Sequence, residues 1–259
     1  MTKHIDLNAD MGESFGDWVM GNDPALLDTV TSANIACGFH AGDPDVMAKT
    51  MRLAVKRGVG IGAHPGFADL QGFGRRRINL SAENLRNMIC YQLGAAQAMA
   101  RAAGGQISHF KLHGALSNMA CEDPEIARVC YKAAQEIAPT IKIMVLASTP
   151  MQDVAEELGC YWAGEIFADR AYNDDASLVD RSFPGAVIHD PEQAAKRVLD
   201  MVQRNAIISA NGKHIAAQID TICMHGDTPN SIKIAKAVKS TLLRNEIAVR
   251  SLATASYKF

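Results

Sequence analysis

A chain of 259 residues that is 48% hydrophobic, 21% charged and 6% aromatic has the composition of an ordinary folded globule, which excludes intrinsic disorder and fibrous repeats. With 26 Lys and Arg against 28 Asp and Glu, the net charge of -2 offers no broad attraction for a phosphate backbone or an anionic lipid surface, so neither nucleic acid nor membrane is an expected partner.

Carboxylates from Asp6 onward argue against a secretory leader, and no apolar run approaches the ~20 residues that span a bilayer. A first strand is predicted from Ile5 to Asn8 and a second from Ala33 to Cys37. Asp43 and Pro44 then place a cap and a first-turn proline before a helix reaching about Arg57. A third strand, Val59 to Ala63, is followed by Ser81-Ala82-Glu83-Asn84, which opens a long Ala/Met/Leu-rich helix ending at Gly104-Gly105. Strands follow from His109 to Leu112, Ile141 to Ala147, Gly164 to Ala168, Thr221 to Met224 and Ile247 to Leu252. Asp123-Pro124, Thr149-Pro150, Asp190-Pro191 and Thr228-Pro229 mark further helix starts between them.

Such alternation predicts parallel α/β architecture. No linker or composition break divides residues 1–259, so one domain is expected. Seven or eight strand-helix units suit a single (β/α) barrel-like fold of about seven parallel strands better than an open doubly wound sheet. The six cysteines are scattered without a CxxC pair, which fits reduced thiols and a cytoplasmic setting.

Polar residues gather at the carboxyl ends of these strands, the rim where α/β folds build their sites. Asn8, Asp10 and Glu13 follow the first strand, and Asn34, His40 and Asp43 lie on or after the second. His64 and Asp69 follow the third, Lys111 and His113 the fourth, Glu165, Asp169 and Arg170 the sixth, and His225 and Asp227 the seventh. Four histidines at matching ends, His40, His64, His113 and His225, point to one shared polar pocket. Gly72-Phe73-Gly74 before Arg75-Arg76-Arg77 reads as a mobile basic loop suited to anions, whereas the apolar neighbours of Cys37 favour a core thiol. The chain has no GxxxxGK[ST] phosphate loop, no GxSxG elbow and no HExxH helix.

The segments Asp6-Leu7-Asn8-Ala9-Asp10-Met11-Gly12-Glu13, Ser32 to Asp43, Ile61-Gly62-Ala63-His64-Pro65, Phe73-Gly74-Arg75-Arg76, Lys111 to Leu116, Phe167-Ala168-Asp169-Arg170 and Cys223 to Pro229 resemble the LamB/YcsF family, the A subunits of 5-oxoprolinase, in order along essentially the whole chain. Leu112 stands where that family usually has proline and Ser117 where it usually has tyrosine, which bears on substrate fit beside His113. The resemblance implies a seven-stranded barrel similar to polysaccharide deacetylases. It also implies opening of the lactam of 5-oxo-L-proline to L-glutamate, driven by ATP with Mg2+, together with partner subunits B and C. Assembly of the chain with itself into a homo-oligomer stays open, as does a divalent metal beyond Mg2+.

That chemistry needs cations for phosphate and the substrate carboxylate, for which Arg75, Arg76, Arg170 and Lys111 are candidates. Asn8, Asn34, Asp169 and His225 complete the expected binding set. Asp10 or Glu13 would orient water or take its proton, and His113, His40 or His64 would protonate the departing nitrogen. A rival reading is a metal-dependent amide hydrolase or deacetylase without ATP, with Asp10, His40 and His64 as ligands and Glu13 as base. In a third, the chain is a non-catalytic lactam-binding subunit.

Overall fold

The computed structural model describes residues 4–224 and 230–252. Within them the chain runs β1 (His4–Met11), α1 (Asp23–Leu27), β2 (Ser32–Ala36), α2 (Pro44–Arg57), β3 (Gly60–His64), α3 (Ala82–Ala102) and β4 (Ile107–Phe110). It continues through α4 (Gly114–Glu122), α5 (Pro124–Ile137), β5 (Lys142–Leu146), α6 (Pro150–Glu157), β6 (Tyr161–Phe167) and α7 (Pro191–Arg204). A small hairpin, β7 (Ala206–Ile208) and β8 (His214–Ala216), precedes β9 (Thr221–Met224), α8 (Ser231–Arg244) and β10 (Ala248–Val249).

Strands β1 to β6 and β9 pair in parallel, and β9 returns to β1 to close a seven-stranded barrel. The eighth predicted strand shrinks to β10, which lies outside that ring and pairs with the first residues of β1, His4 with Ala248 and Ile5 with Val249. The β7–β8 hairpin is antiparallel and has no counterpart among the predicted elements. Most helix starts follow the predicted punctuation. Asp43 accepts from the amides of Asp45 and Val46, Ser81 from Asn84, Asp123 from Glu125 and Asp190 from Gln193, and Pro44, Pro124, Pro150 and Pro191 each occupy a first helical position. The Thr228-Pro229 start lies outside the described residues. No described helix is long and apolar enough to cross a membrane.

Strand β1 shows why the barrel can hold chemistry. Leu7, Ala9 and Met11 are buried in the apolar layer between strands and helices. The alternate residues Asp6, Asn8 and Asp10 bond to side chains of other strands, Asp6 to its neighbours and Asn8 and Asp10 farther round the barrel, so its interior carries a polar column. Strand β2 repeats the alternation, with Ala33 and Ile35 in the apolar layer and Ser32 and Asn34 bonded to Asp6 and Asn8.

Candidate functional site

The column is built in layers. At its floor the Asp6 carboxylate accepts hydroxyl hydrogen bonds from Thr31 (2.8 Å), Ser32 (2.7 Å) and Thr221 (2.5 Å). One layer up, Asn8 Nδ2 donates to Glu165 Oε1 (3.0 Å) and Thr221 Oγ1 (2.8 Å). Asn34 Nδ2 donates to Asn8 Oδ1 (2.7 Å) and Asp10 Oδ1 (2.8 Å), and His109 Nε2 donates to Asn34 Oδ1 (2.9 Å). Burial drives His109 down to about 3, so at neutral pH it is an uncharged donor.

Lys111 joins this layer to the mouth. Its ammonium lies 2.9 Å from Glu165 Oε1, 3.1 Å from Asp10 Oδ1 and 3.1 Å from Cys223 Sγ. Burial alone would lower its pKa, but the surrounding acidic groups, Asp10 foremost, outweigh that and hold it well above the usual lysine value. Cys223 is correspondingly a buried thiol pushed well above the usual cysteine value by desolvation. Strand β4 stops at Phe110, yet its pairing to the third strand's segment continues: Lys111 N donates to Ala63 O (3.0 Å) and His113 N to Pro65 O (2.9 Å). That continuation fixes both side chains beyond the strand end.

At the mouth, His40, His64 and His113 form a ring cluster. His40 stacks on His113 with centroids 3.7 Å apart and planes 7° from parallel, and His64 stands edge-on to His113 at 89°. His64 Nδ1 lies 2.8 Å from Lys111 O and His113 Nε2 lies 2.8 Å from Phe73 O. A carbonyl can only accept, so both outer nitrogens carry the hydrogens. The inner atoms, His64 Nε2 and His113 Nδ1, then face each other at 3.1 Å. Asp10 Oδ2 is 3.3 Å from the first and Glu13 Oε1 3.9 Å from the second. Burial pushes His113 down to about 3 and His40 well below the usual histidine value, and neither ring nitrogen of His40 has a hydrogen-bond partner.

A cavity of about 850 Å³ opens over this cluster, lined by Asp10, Glu13, His64, His113, Arg75 and Arg170 among others. Arg170 is buried; one guanidinium nitrogen donates to Val179 O (2.6 Å) while its Nε has no hydrogen-bond partner. Arg75 packs over the Phe73 ring at 5.0 Å. Ligand atoms of Glu13, His40, His64 and His113 all lie within 4.8 Å of one another, and imidazole with carboxylate is a donor set that a divalent metal ion accepts.

The predicted residues thus fall into three groups. Asp10, Glu13, His64, Lys111, His113, Arg75 and Arg170 share the mouth, with His40 stacked behind them. Asn8 and Asn34 lie a layer below the cavity and orient its carboxylates rather than line it. Arg76 departs from expectation: it pairs with the buried Asp69 instead of lining the cavity, so the basic loop is tethered there, and Arg77 is bound by Glu122 (2.7 Å). Asp169 is buried behind Arg170 and does not line the cavity either. The expected proton donor His113 has its only N–H committed to Phe73 O, which leaves Nδ1 as an acceptor. Cys37 is a core thiol pushed up to about 12 by burial. His225 and Asp227 lie outside the described residues.

Sequence reading missed His109, Thr221 and Cys223 as parts of the network. Only Gly62 carried a signal, because a Cβ there would collide with the His109 ring.

The model of the LamB/YcsF family matches residues 5–257. The chain is 61% identical over 245 residues to a protein of Ruegeria pomeroyi named as the A subunit of 5-oxoprolinase, covering 95% of this chain and 97% of that one. It is 52% identical to a protein of the same name from Nitrobacter hamburgensis, over 97% and 99% of the two chains. Among solved structures, a lactam utilization protein from Thermus thermophilus superposes with a TM-score of 0.91 at 41% identity, over 96% of this chain and 100% of that one. The catalytic domain of a peptidoglycan N-acetylglucosamine deacetylase from Eubacterium rectale shares the barrel at a TM-score of 0.53 and 13% identity, over 98% and 90% of the chains, a likeness of fold alone. On motif order, family match and near full-length identity, the chain belongs to the LamB/YcsF family.

Proposed function

We propose that this chain acts as the A subunit of an ATP-dependent 5-oxoprolinase, opening the lactam of 5-oxo-L-proline to L-glutamate as ATP becomes ADP and phosphate. The single observation that carries the reading is the 61% identity, over nearly the whole of both chains, with a protein named for that role. The mouth's chemistry supports it.

A five-membered lactam is resonance-stabilised, and water attacks its carbonyl slowly. Opening it requires activation of the carbonyl, a base for water and a cationic contact for the substrate carboxylate. Asp10 suits the base: Lys111 and Asn34 hold one of its oxygens, and the other faces His64 and the cavity. Glu13, across the same cluster, is the alternative base. Arg75 and Arg170 supply positive charge at the cavity wall for the carboxylate or a phosphoryl group. Lys111 keeps a positive charge beneath the reacting centre and stops Asp10 and Glu165 from repelling each other. Activation by ATP with Mg2+, in company with B and C subunits, belongs to this reading, and the lack of a GxxxxGK[ST] loop in the chain is consistent with it.

The test is ATP-coupled glutamate release from this chain mixed with candidate companion chains, with each component omitted in turn. Glutamate that appears only in the complete mixture with ATP supports the proposal. Release that needs no ATP favours a metal-dependent amide hydrolase, a reading to which the histidine-carboxylate cluster lends weight. Lactam binding by this chain, with turnover at saturation unaffected by changes at Asp10, would give it a binding role only.

A further inference from the structure

Two imidazoles bring bare lone pairs face to face in the mouth. The outer nitrogens of His64 and His113 are both held by backbone carbonyls, of Lys111 and Phe73, and the inner pair sits 3.1 Å apart. Two lone pairs at that separation repel unless a cation lies between them. The cation is either a proton or a metal ion, and three features favour a metal. Pinning the far nitrogen of each ring to a carbonyl is how metal-binding histidines are oriented. The ring planes stand at 89° and so intersect along a line, on which one ion can lie in the plane of both rings. Two carboxylates flank that position, Asp10 at 3.3 Å from His64 Nε2 and Glu13 at 3.9 Å from His113 Nδ1. An ion about 2.1 Å from each nitrogen would see them at roughly 95°, between octahedral and tetrahedral values.

The same geometry removes His40 from the ligand set. An imidazole binds a metal in its own plane. His40 lies parallel to His113 with centroids 3.7 Å apart, so an ion in the plane of His113 would lie far out of the plane of His40, beyond the ~2.1 Å of a bond. Gly66 and Gly74 press the two rings together: a Cβ on Gly66 would come within 2.7 Å of His40 Nδ1, and one on Gly74 within 2.9 Å of His113 Cδ2. His40 is therefore the plate against which His113 is set.

We propose that His64 Nε2 and His113 Nδ1, with the Glu13 carboxylate, form a site for one divalent transition-metal ion beside Asp10, and that His40 positions His113 without touching the ion. Bound there, such an ion would polarise a carbonyl oxygen or a water facing the cavity. The site does not depend on the lactam reading.

The whole chain, stripped with a chelator and then freed of it, is titrated with zinc chloride by calorimetry, and its metal content is measured after gel filtration. The expected result is one zinc per chain, with His64→Asn and His113→Asn each weakening binding by about tenfold or more and His40→Phe binding within about threefold of the parent. Cobalt(II) loaded into the unaltered chain should show visible absorption from nitrogen and oxygen ligands, which tests the site even if a variant fails to fold. Failure of the unaltered chain to take up stoichiometric zinc or cobalt would mean that a proton holds the two rings, and the inference falls. It also falls if His40→Phe loses zinc as fully as His64→Asn. Glutamate release measured on the same preparations keeps the two proposals apart, since a chain can turn over without zinc or hold zinc without turning over.

Discussion

Asp6 and Asp10 lie four residues apart on one strand and point into the same barrel, yet they are built for different work. Asp6 at the floor is almost wholly buried and is bound by three hydroxyls and the Leu252 backbone. Desolvation raises its pKa despite those bonds. Asp10 at the mouth keeps 17% of its side chain exposed, shares one oxygen with Lys111 and Asn34, and turns the other toward His64. A carboxylate whose acceptor sites are filled by neutral donors is a structural part. One that is charge-paired through one oxygen and turns the other to an imidazole at the cavity can take a proton.

The sharpest way to break this contrast is Asp10→Asn, which should cut coupled glutamate release by about 10² to 10⁴-fold, the usual worth of a general base, while circular dichroism stays unchanged. Retention of full turnover would remove Asp10 from the mechanism. Next in size, Lys111→Met strands the buried Glu165 beside the half-buried Asp10 without their shared cation, and urea unfolding should show a loss of about 3–5 kcal/mol. Asp6→Asn replaces an acceptor-only group by an amide whose NH2 faces hydroxyl donors. It should cost about 1–3 kcal/mol in the same experiment and leave turnover within about twofold, the reverse of the mouth variant. A smaller effect separates the layers by pH. His109 sits at about 3 when folded against an ordinary 6.5, so its stabilising contribution is complete above 6.5 and is lost as pH falls toward 3. Between those limits it should remove up to about 1.4 kcal/mol per pH unit, and His109→Gln should flatten the measured slope by up to one proton.

How much of this was legible beforehand depended on distance along the chain. Helix starts such as Asp43-Pro44 and Asp190-Pro191 are local chemistry, and the structure follows them. Polar residues at strand ends were legible because parallel strands share one rim. Which of them touch was not legible, because Lys111 meets Glu165 and Cys223 only after the barrel closes between β9 and β1. Arg75 and Arg76 are adjacent and alike in sequence; one faces the cavity and the other turns to Asp69, a choice made by the tertiary position of Asp69. The β7–β8 hairpin escaped notice because three-residue strands carry too little periodicity to read. The position of His113 at the rim is legible from the strand end, whereas its hydrogen bond to the Phe73 carbonyl, 40 residues away, exists only in the fold.

Gly62, Gly66 and Gly74 bear no reactive atom, yet each lies where a single added methyl would strike the ring of His109, His40 or His113. A saturation scan scored by turnover would therefore flag three positions with nothing to contribute to bond making or breaking. Their intolerance would be a record of crowding, and anyone mapping the reacting groups from such a scan would need to subtract it first.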